Sequence, residues 1–225
     1  MIPLRDDIRS SRRPWVTWSL IAACTAAFVY QLFTELSDPE AGRLVVRSLG
    51  MVPHDIVSGT RLWTLLTSMF LHGGFFHIIG NMLYLWIFGD NVEDALGHLP
   101  YLAVYVIAGL FGSGLHILTA PQSAVPTIGA SGAISGVMGA YFVLYPRARV
   151  LTLVPVFFFL RLIYLPAFVL LGFWILLQML YGCGSPTAGG GVAYFAHIGG
   201  FVVGIVVGLL ARRRRRDRTI WYDIH

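Results

Sequence analysis

The chain has no lysine. All 16 of its basic residues are arginines, and charged residues make up only 12% of its 225 positions against 56% hydrophobic ones. With a mean hydropathy of +0.72, this scarcity of charge excludes an ordinary soluble globular domain and points to a protein that crosses a membrane several times. A net charge of +5 could otherwise suggest nucleic acid. The arginines, however, gather mostly at the two ends and in one inner loop, which is a topology signal, so no nucleic-acid partner is expected. Cysteine is equally scarce. Cys24 and Cys183 lie in or beside apolar runs without metal-ligand spacing, and neither a disulfide nor a metal site is inferred from them. No hydrophilic stretch suits a second domain. Met1–Pro14 is charged and runs into a long apolar span without a convincing cleavage site, so that span reads as a retained first helix.

What the chain does have is apolar runs. Trp15 to Phe33 is the first predicted transmembrane helix, behind Arg5, Arg9, Arg12 and Arg13. Glu35 to Phe70 is a connection of mixed polarity whose short apolar clusters suit segments in the membrane interface, with Trp63 as an aromatic anchor. Gly73-Gly74 opens a second helix over about 74–91, followed by the acidic Glu93 and Asp94, and Tyr101 to Thr119 is the third. Val150 to Tyr181 is apolar for longer than one span. Placing Arg161 near the interface starts a fifth helix at about Leu162, over 162–181, with Pro166 in its first turns. Ser185–Gly191 reads as a mobile Gly-rich loop and Val192 to Ala211 as the sixth helix. Arg212–Arg216 fix the far end as cytoplasmic, and Arg147, Arg149 and the N-terminal arginines agree. The expected organisation is a cytoplasmic segment 1–14, a six-helix core 15–211 and a basic cytoplasmic tail 212–225.

The fourth helix organises the rest. Ala130 to Tyr145 is uncharged, continuous and closed by Pro146, yet too short for a bilayer core that needs about 20 helical residues. Bare loop completes a crossing only beside a protein-lined aqueous cavity, which puts Ser131, in Gly129-Ala-Ser131-Gly132, at the floor of a wet pocket. The fold expected is therefore an all-α membrane protein of six transmembrane helices, with a short fourth helix starting at a water-filled cavity.

A helix start offers free N–H groups and a positive dipole end to an oxyanion. The bland alternative is that Gly129, Gly132 and Gly136 only let helices approach closely. Ionisable groups inside spans are costly and so point to function. His197 lies one turn into the sixth helix, and Gly200, Gly204 and Gly208 would let that helix meet the fourth and bring His197 to Ser131. A neutral imidazole can take the proton of a serine near pH 7; a histidine satisfied by a backbone carbonyl is the alternative. His77 and Asn81 share a helical face, as oxyanion donors or as an interhelical hydrogen bond. His72 precedes that helix as a loop brace, and His116 reads as structural. No carboxylate is placed to orient His197, so a Ser–His dyad is expected rather than a triad.

These residues carry a resemblance. His72-Gly-Gly-Phe-Phe-His77-Ile-Ile-Gly-Asn81, Gly129-Ala-Ser131-Gly132 and Ala196-His197-Ile-Gly-Gly200-Phe-Val-Val-Gly204 resemble, in order, the motifs of rhomboid intramembrane serine proteases. The resemblance implies hydrolysis of peptide bonds in or near transmembrane segments of membrane-protein substrates within the lipid bilayer. Ser131 would be nucleophile and His197 base, with His77, Asn81 and the Ser131 N–H around the oxyanion. It implies a bracing role for Glu93 at the inner end of the second helix, and makes the fifth helix and the Ser185–Gly191 loop a gate and cap. A Trp-Arg pair common in the family's first loop is here Trp63-Thr64, with Arg61 nearby, which puts in question how that loop is pinned. No cofactor and no metal is expected; a haem bundle on His77, His116 and His197, and a zinc site at His72 and His77, fit the motifs less well. A rhomboid-like factor that binds membrane proteins without cutting them is the alternative, though such relatives usually lack the serine or the histidine. The location expected is a bacterial-type plasma (inner) membrane, with both termini cytoplasmic.

Overall fold

The computed structural model describes residues 1–156, 159–184 and 191–222, with side chains as far as Arg213 in the last helix. Of the expected mobile loop Ser185–Gly191, all but Gly191 lies outside these residues, as do the side chains of most of the basic tail.

Helix α1, Trp15–Ser37, is the first long helix. Its opening N–H groups find their acceptor in a distant side chain, because Glu93 takes the N–H of Val16 at 2.9 Å and that of Thr17 at 2.8 Å. A buried carboxylate at a helix N-terminus satisfies orphan donors and complements the dipole. Helix α2, Pro39–Leu49, is started by the Asp38 side chain and by Pro39 in its first turn, an arrangement that suits a helix start. Two short helices follow, α3 (Pro53–Val57) and α4 (Thr64–Thr67), then a 3-10 turn at Ser68–Phe70. The Arg61 guanidinium ties this connection together, reaching Asp55 at 3.0 Å and the Arg47 carbonyl.

The long helices are α5 (Phe75–Leu96), α6 (His98–Thr119), α7 (Ser131–Leu144), α8 (Ala167–Gly184) and α9 (Tyr194–Tyr222). Among the described residues, four helices are long and apolar enough to cross a membrane: α1, α6, α8 and Tyr194–Arg213 of α9. The pair Thr64–Phe70 and α5, bent by 93°, makes a possible fifth. Helix α7 is shorter, at 14 residues, and every residue from Gly132 to Tyr141 is buried. A helix that is apolar on all sides belongs in the interior. Leu85, Phe88 and Val92 of α5 and Tyr101 and Tyr105 of α6 pack the same core. Between α7 and α9 the backbones touch. A Cβ at Gly200 would run into the Gly132 carbonyl, and one at Gly204 into that of Gly136.

The all-helical expectation needs one correction. Strands β1 (Ile2–Asp6), β2 (Arg149–Val156) and β3 (Phe159–Pro166) form an antiparallel sheet in that order. Leu162, where the fifth helix was expected to begin, pairs with Leu153 inside β3, and Arg161 pairs with Val154. The run from Val150 is rich in β-branched and aromatic residues, which favour a pleated surface. Pro155 interrupts a helix there, and Pro166 biases Leu165 away from the α region. Helix α8 therefore begins just past Pro166, and its first N–H groups donate to the hairpin base, Ala167 to the Ala148 carbonyl at 2.8 Å and Phe168 to that of Pro146 at 3.1 Å. Strand β1 straps the same end of the molecule. The Tyr141 hydroxyl and the Asn91 amide, at 2.9 Å, both donate to Asp6, and the Arg149 N–H donates to Asp7 at 2.8 Å.

Candidate active site

The approach to Ser131 is fixed by two backbone contacts. Met51 and Thr127 exchange N–H···O bonds of 3.1 and 2.7 Å, and the Gly129 N–H donates to the Ser68 carbonyl at 2.9 Å. Gly129 adopts φ +130°, a conformation that L side chains rarely take. A Cβ there would also lie 2.7 Å from His77 Nε2. The chain then turns into α7 with Ser131 as its first helical residue, where backbone N–H groups have no helical acceptor.

Ser131 and His197 are 66 positions apart, and their Oγ and Nε2 atoms lie 2.8 Å apart. The close contact of α7 with α9 makes this possible, since Gly132 and Gly200 leave no side chain between the backbones. His197 Nδ1 lies 2.8 Å from Gln178 Oε1 on α8. An amide oxygen only accepts, so Nδ1 carries the hydrogen and Nε2 is left to accept from the serine hydroxyl. The Trp174 ring lies one turn earlier on α8, with its centroid 5.7 Å from that of His197 and the planes 32° apart.

His77 faces the same cavity. The Gly73 N–H donates to its Nδ1 at 3.2 Å, which places the ring hydrogen on Nε2, the nitrogen beside Gly129. The cavity, about 710 Å³, is walled by Ser131, His197, His77, Gly129 and His116 among others, and none of the described residues lining it is acidic. Among the described residues no three His, Cys, Asp or Glu side chains gather as metal ligands.

The remaining candidates divide. Asn81 is buried on α5, but its amide donates to the His77 carbonyl at 2.9 Å and it is not part of the cavity wall. His72 is buried behind His77, ring centroids 5.1 Å apart, with Nδ1 on the Phe70 carbonyl and its N–H on Gln31. Glu93 sits away from the cavity, capping α1 and meeting Thr17 Oγ1 at 2.7 Å and His98 at 2.6 Å. His116 joins Thr127 at 3.2 Å. The side chain that sequence reasoning missed is Gln178. Its signal was available as an amide inside the long apolar run of α8, where a polar group is expected to find a partner.

Comparison with known proteins agrees with the family resemblance. Residues 59–214 match the Rhomboid domain. "RHOMBOID-like protein 5" of Arabidopsis thaliana is 39% identical over 95 residues, 42% of this chain and 31% of that protein. "Rhomboid protein 1, mitochondrial" of Saccharomyces cerevisiae is 32% identical over 154 residues, 64% of this chain and 40% of the relative. "Rhomboid protease GluP" of Bacillus subtilis is 31% identical over 128 residues, 57% of this chain and 24% of the relative. The matched stretches thus span less than half the length of each of these three relatives.

Proposed function

The chain belongs to the rhomboid family, and we propose that it is an intramembrane serine endopeptidase acting on transmembrane segments of membrane-protein substrates. One observation carries this reading: the hydrogen bond between Ser131 Oγ and His197 Nε2, 2.8 Å, at the wall of a cavity between helices of a membrane protein. Ser131 Oγ attacks the scissile carbonyl carbon while its proton passes to His197 Nε2. The oxyanion that forms lies within the reach of His77 Nε2–H and the Ser131 backbone N–H. The imidazolium returns the proton to the departing amine, and water then hydrolyses the acyl-enzyme with His197 again as base. Asn81 contributes a further donor if its amide turns from the His77 carbonyl. His72 supports the His77 ring, Glu93 supports the inner end of the bundle, and Gly129, Gly132 and Gly200 supply the close approaches.

Six membrane helices, α1, α5, α6, α7, α8 and α9, make up the proposed core. Helix α7, with 14 residues, rises about 21 Å and falls short of a hydrocarbon layer of about 30 Å. Ser131 then sits below the outer surface, and the cavity above it is filled with water. The arginines near the hairpin and at the end of α9 put β1–β3 and both termini on the cytoplasmic side. A bacterial-type plasma membrane is proposed on the sequence alone.

The test is cleavage of a reporter transmembrane substrate in liposomes by wild type and Ser131→Ala, with circular dichroism on both. Loss of cleavage in a folded variant supports the protease. Retention of several substrates by both forms, with cutting by neither, would favour a binding protein instead.

A further inference from the structure

We propose that Gln178 is the positioning residue for His197, an inference that rests on the reading of Ser131 and His197 as nucleophile and base. Three observations converge on it. Gln178 is 8% exposed on a helix whose other faces present Phe168, Phe173, Leu176 and Leu180 outward. Its amide orientation is determined, because Nε2 donates to the Trp174 carbonyl at 3.2 Å and Oε1 is thereby left facing His197 Nδ1 at 2.8 Å. Trp174, four residues earlier and so on the same helical face, lies against the imidazole ring. Helix α8 therefore holds one edge and one face of the base, while α7 supplies the hydroxyl at the opposite edge.

The chemistry follows from the inventory of atoms. Without an acceptor at Nδ1 the neutral imidazole can place its hydrogen on either nitrogen, and the Nε2–H form cannot take the serine proton. Gln178 Oε1 selects the competent tautomer. Being uncharged, it does so without the stabilisation of imidazolium that a carboxylate would add. Among the described residues the other titratable groups on the cavity wall are His77, His116 and Tyr194, and no acid lines it. Since Gln178 is carried by α8, the orientation of the base depends on where that helix sits.

The experiment compares wild type, Gln178→Leu and Gln178→Glu as full-length protein in detergent. It has two readouts: the histidine tautomer by ¹⁵N NMR, and kcat and KM against pH on a transmembrane substrate. Wild type is expected to show His197 protonated at Nδ1, and Gln178→Leu to lose that preference. Gln178→Leu should lower kcat by about tenfold to a hundredfold, with KM within about twofold. Gln178→Glu should restore turnover and move the acid limb of kcat/KM up by about one pH unit, because a carboxylate favours imidazolium. An unchanged tautomer and kcat in a folded Gln178→Leu, or an unmoved acid limb in Gln178→Glu, would overturn the proposal. The NMR readout needs no turnover. A tautomer that follows Gln178 in a protein that cuts nothing upholds the positioning role and rejects the protease reading, so the two failures are distinct.

Discussion

At the scale of the residue, the tightest constraints fall on the serine, the two histidines and one glycine. Gly129→Ala places a Cβ at φ +130° and 2.7 Å from His77 Nε2. Such strain costs about 1–3 kcal/mol, and because it displaces both the Ser131 turn and the His77 donor, turnover should fall more than the melting temperature. On the proposed mechanism His77→Ala removes one oxyanion donor and should lower kcat by about 10²–10³-fold, whereas Asn81→Ala, whose amide is already engaged with the His77 carbonyl, should lower it much less. Activity should also decline as pH falls through the titration of His197, since an imidazolium cannot accept the serine proton; kcat/KM of the wild type from pH 4 to 8 checks it. Ser131, His77 and His197 could be read from the sequence because a polar group in an apolar run is costly and their spacing placed them at neighbouring helix starts. Gln178 obeyed the same rule but had no motif around it, and its pairing depends on how α8 rotates against α9. Asn81 was expected to share a helical face with His77, but it lies off the cavity wall, and the direction of its amide depends on atoms that a sequence does not position.

At the scale of the element, the Gly-lined contact between α7 and α9 sets the distance between Ser131 and His197, the proposed nucleophile and base. Gly200→Ala drives a methyl into the Gly132 carbonyl, and overpacking of this kind costs about 1–3 kcal/mol. A lower melting temperature together with slower labelling of Ser131 by a fluorophosphonate is the expected outcome. Glu93→Gln keeps one of the two oxygens that accept from Val16 and Thr17 and turns an amide NH2 toward the other N–H, while Glu93→Ala leaves both N–H groups without their acceptor. Loss of a helix cap costs about 0.5–2 kcal/mol, so thermal stability should fall in both variants, and further in Glu93→Ala than in Glu93→Gln. The helices were legible because an uncharged run of membrane length can satisfy its backbone in lipid by coiling into a helix. The hairpin was not, because in Val150–Tyr164 an apolar run shows no period that separates a buried helix from paired strands. What decides for strands is a partner: β1, far off in sequence, completes the sheet.

At the scale of the whole molecule, β1 couples the N-terminal segment to the ends of α5 and α7 that carry Asn91 and Tyr141. Asp6 lies at that junction. Its burial raises the carboxyl pKa to about 6, against the opposing effect of the Tyr141 hydrogen bond, and the nearby Asp90 and Asp7 add to the rise. The folded state therefore holds a proton that an unfolded carboxyl, near its ordinary value of about 3.9, has released. Between those two values stability should decrease as pH rises, and above about 6 the loss should be complete. Asp6→Asn keeps an oxygen for Tyr141 and Asn91 and removes the titration, so the melting temperature of wild type relative to this variant should fall between pH 4 and 6. A constant difference would mean that Asp6 does not titrate in that window. The strap also orders events during synthesis. Asp7 and the Arg149 that it meets are separated by 142 positions, so β1 emerges from the ribosome long before β2 exists. It must wait unpaired while the helices between them enter the membrane, and the sheet closes only behind them.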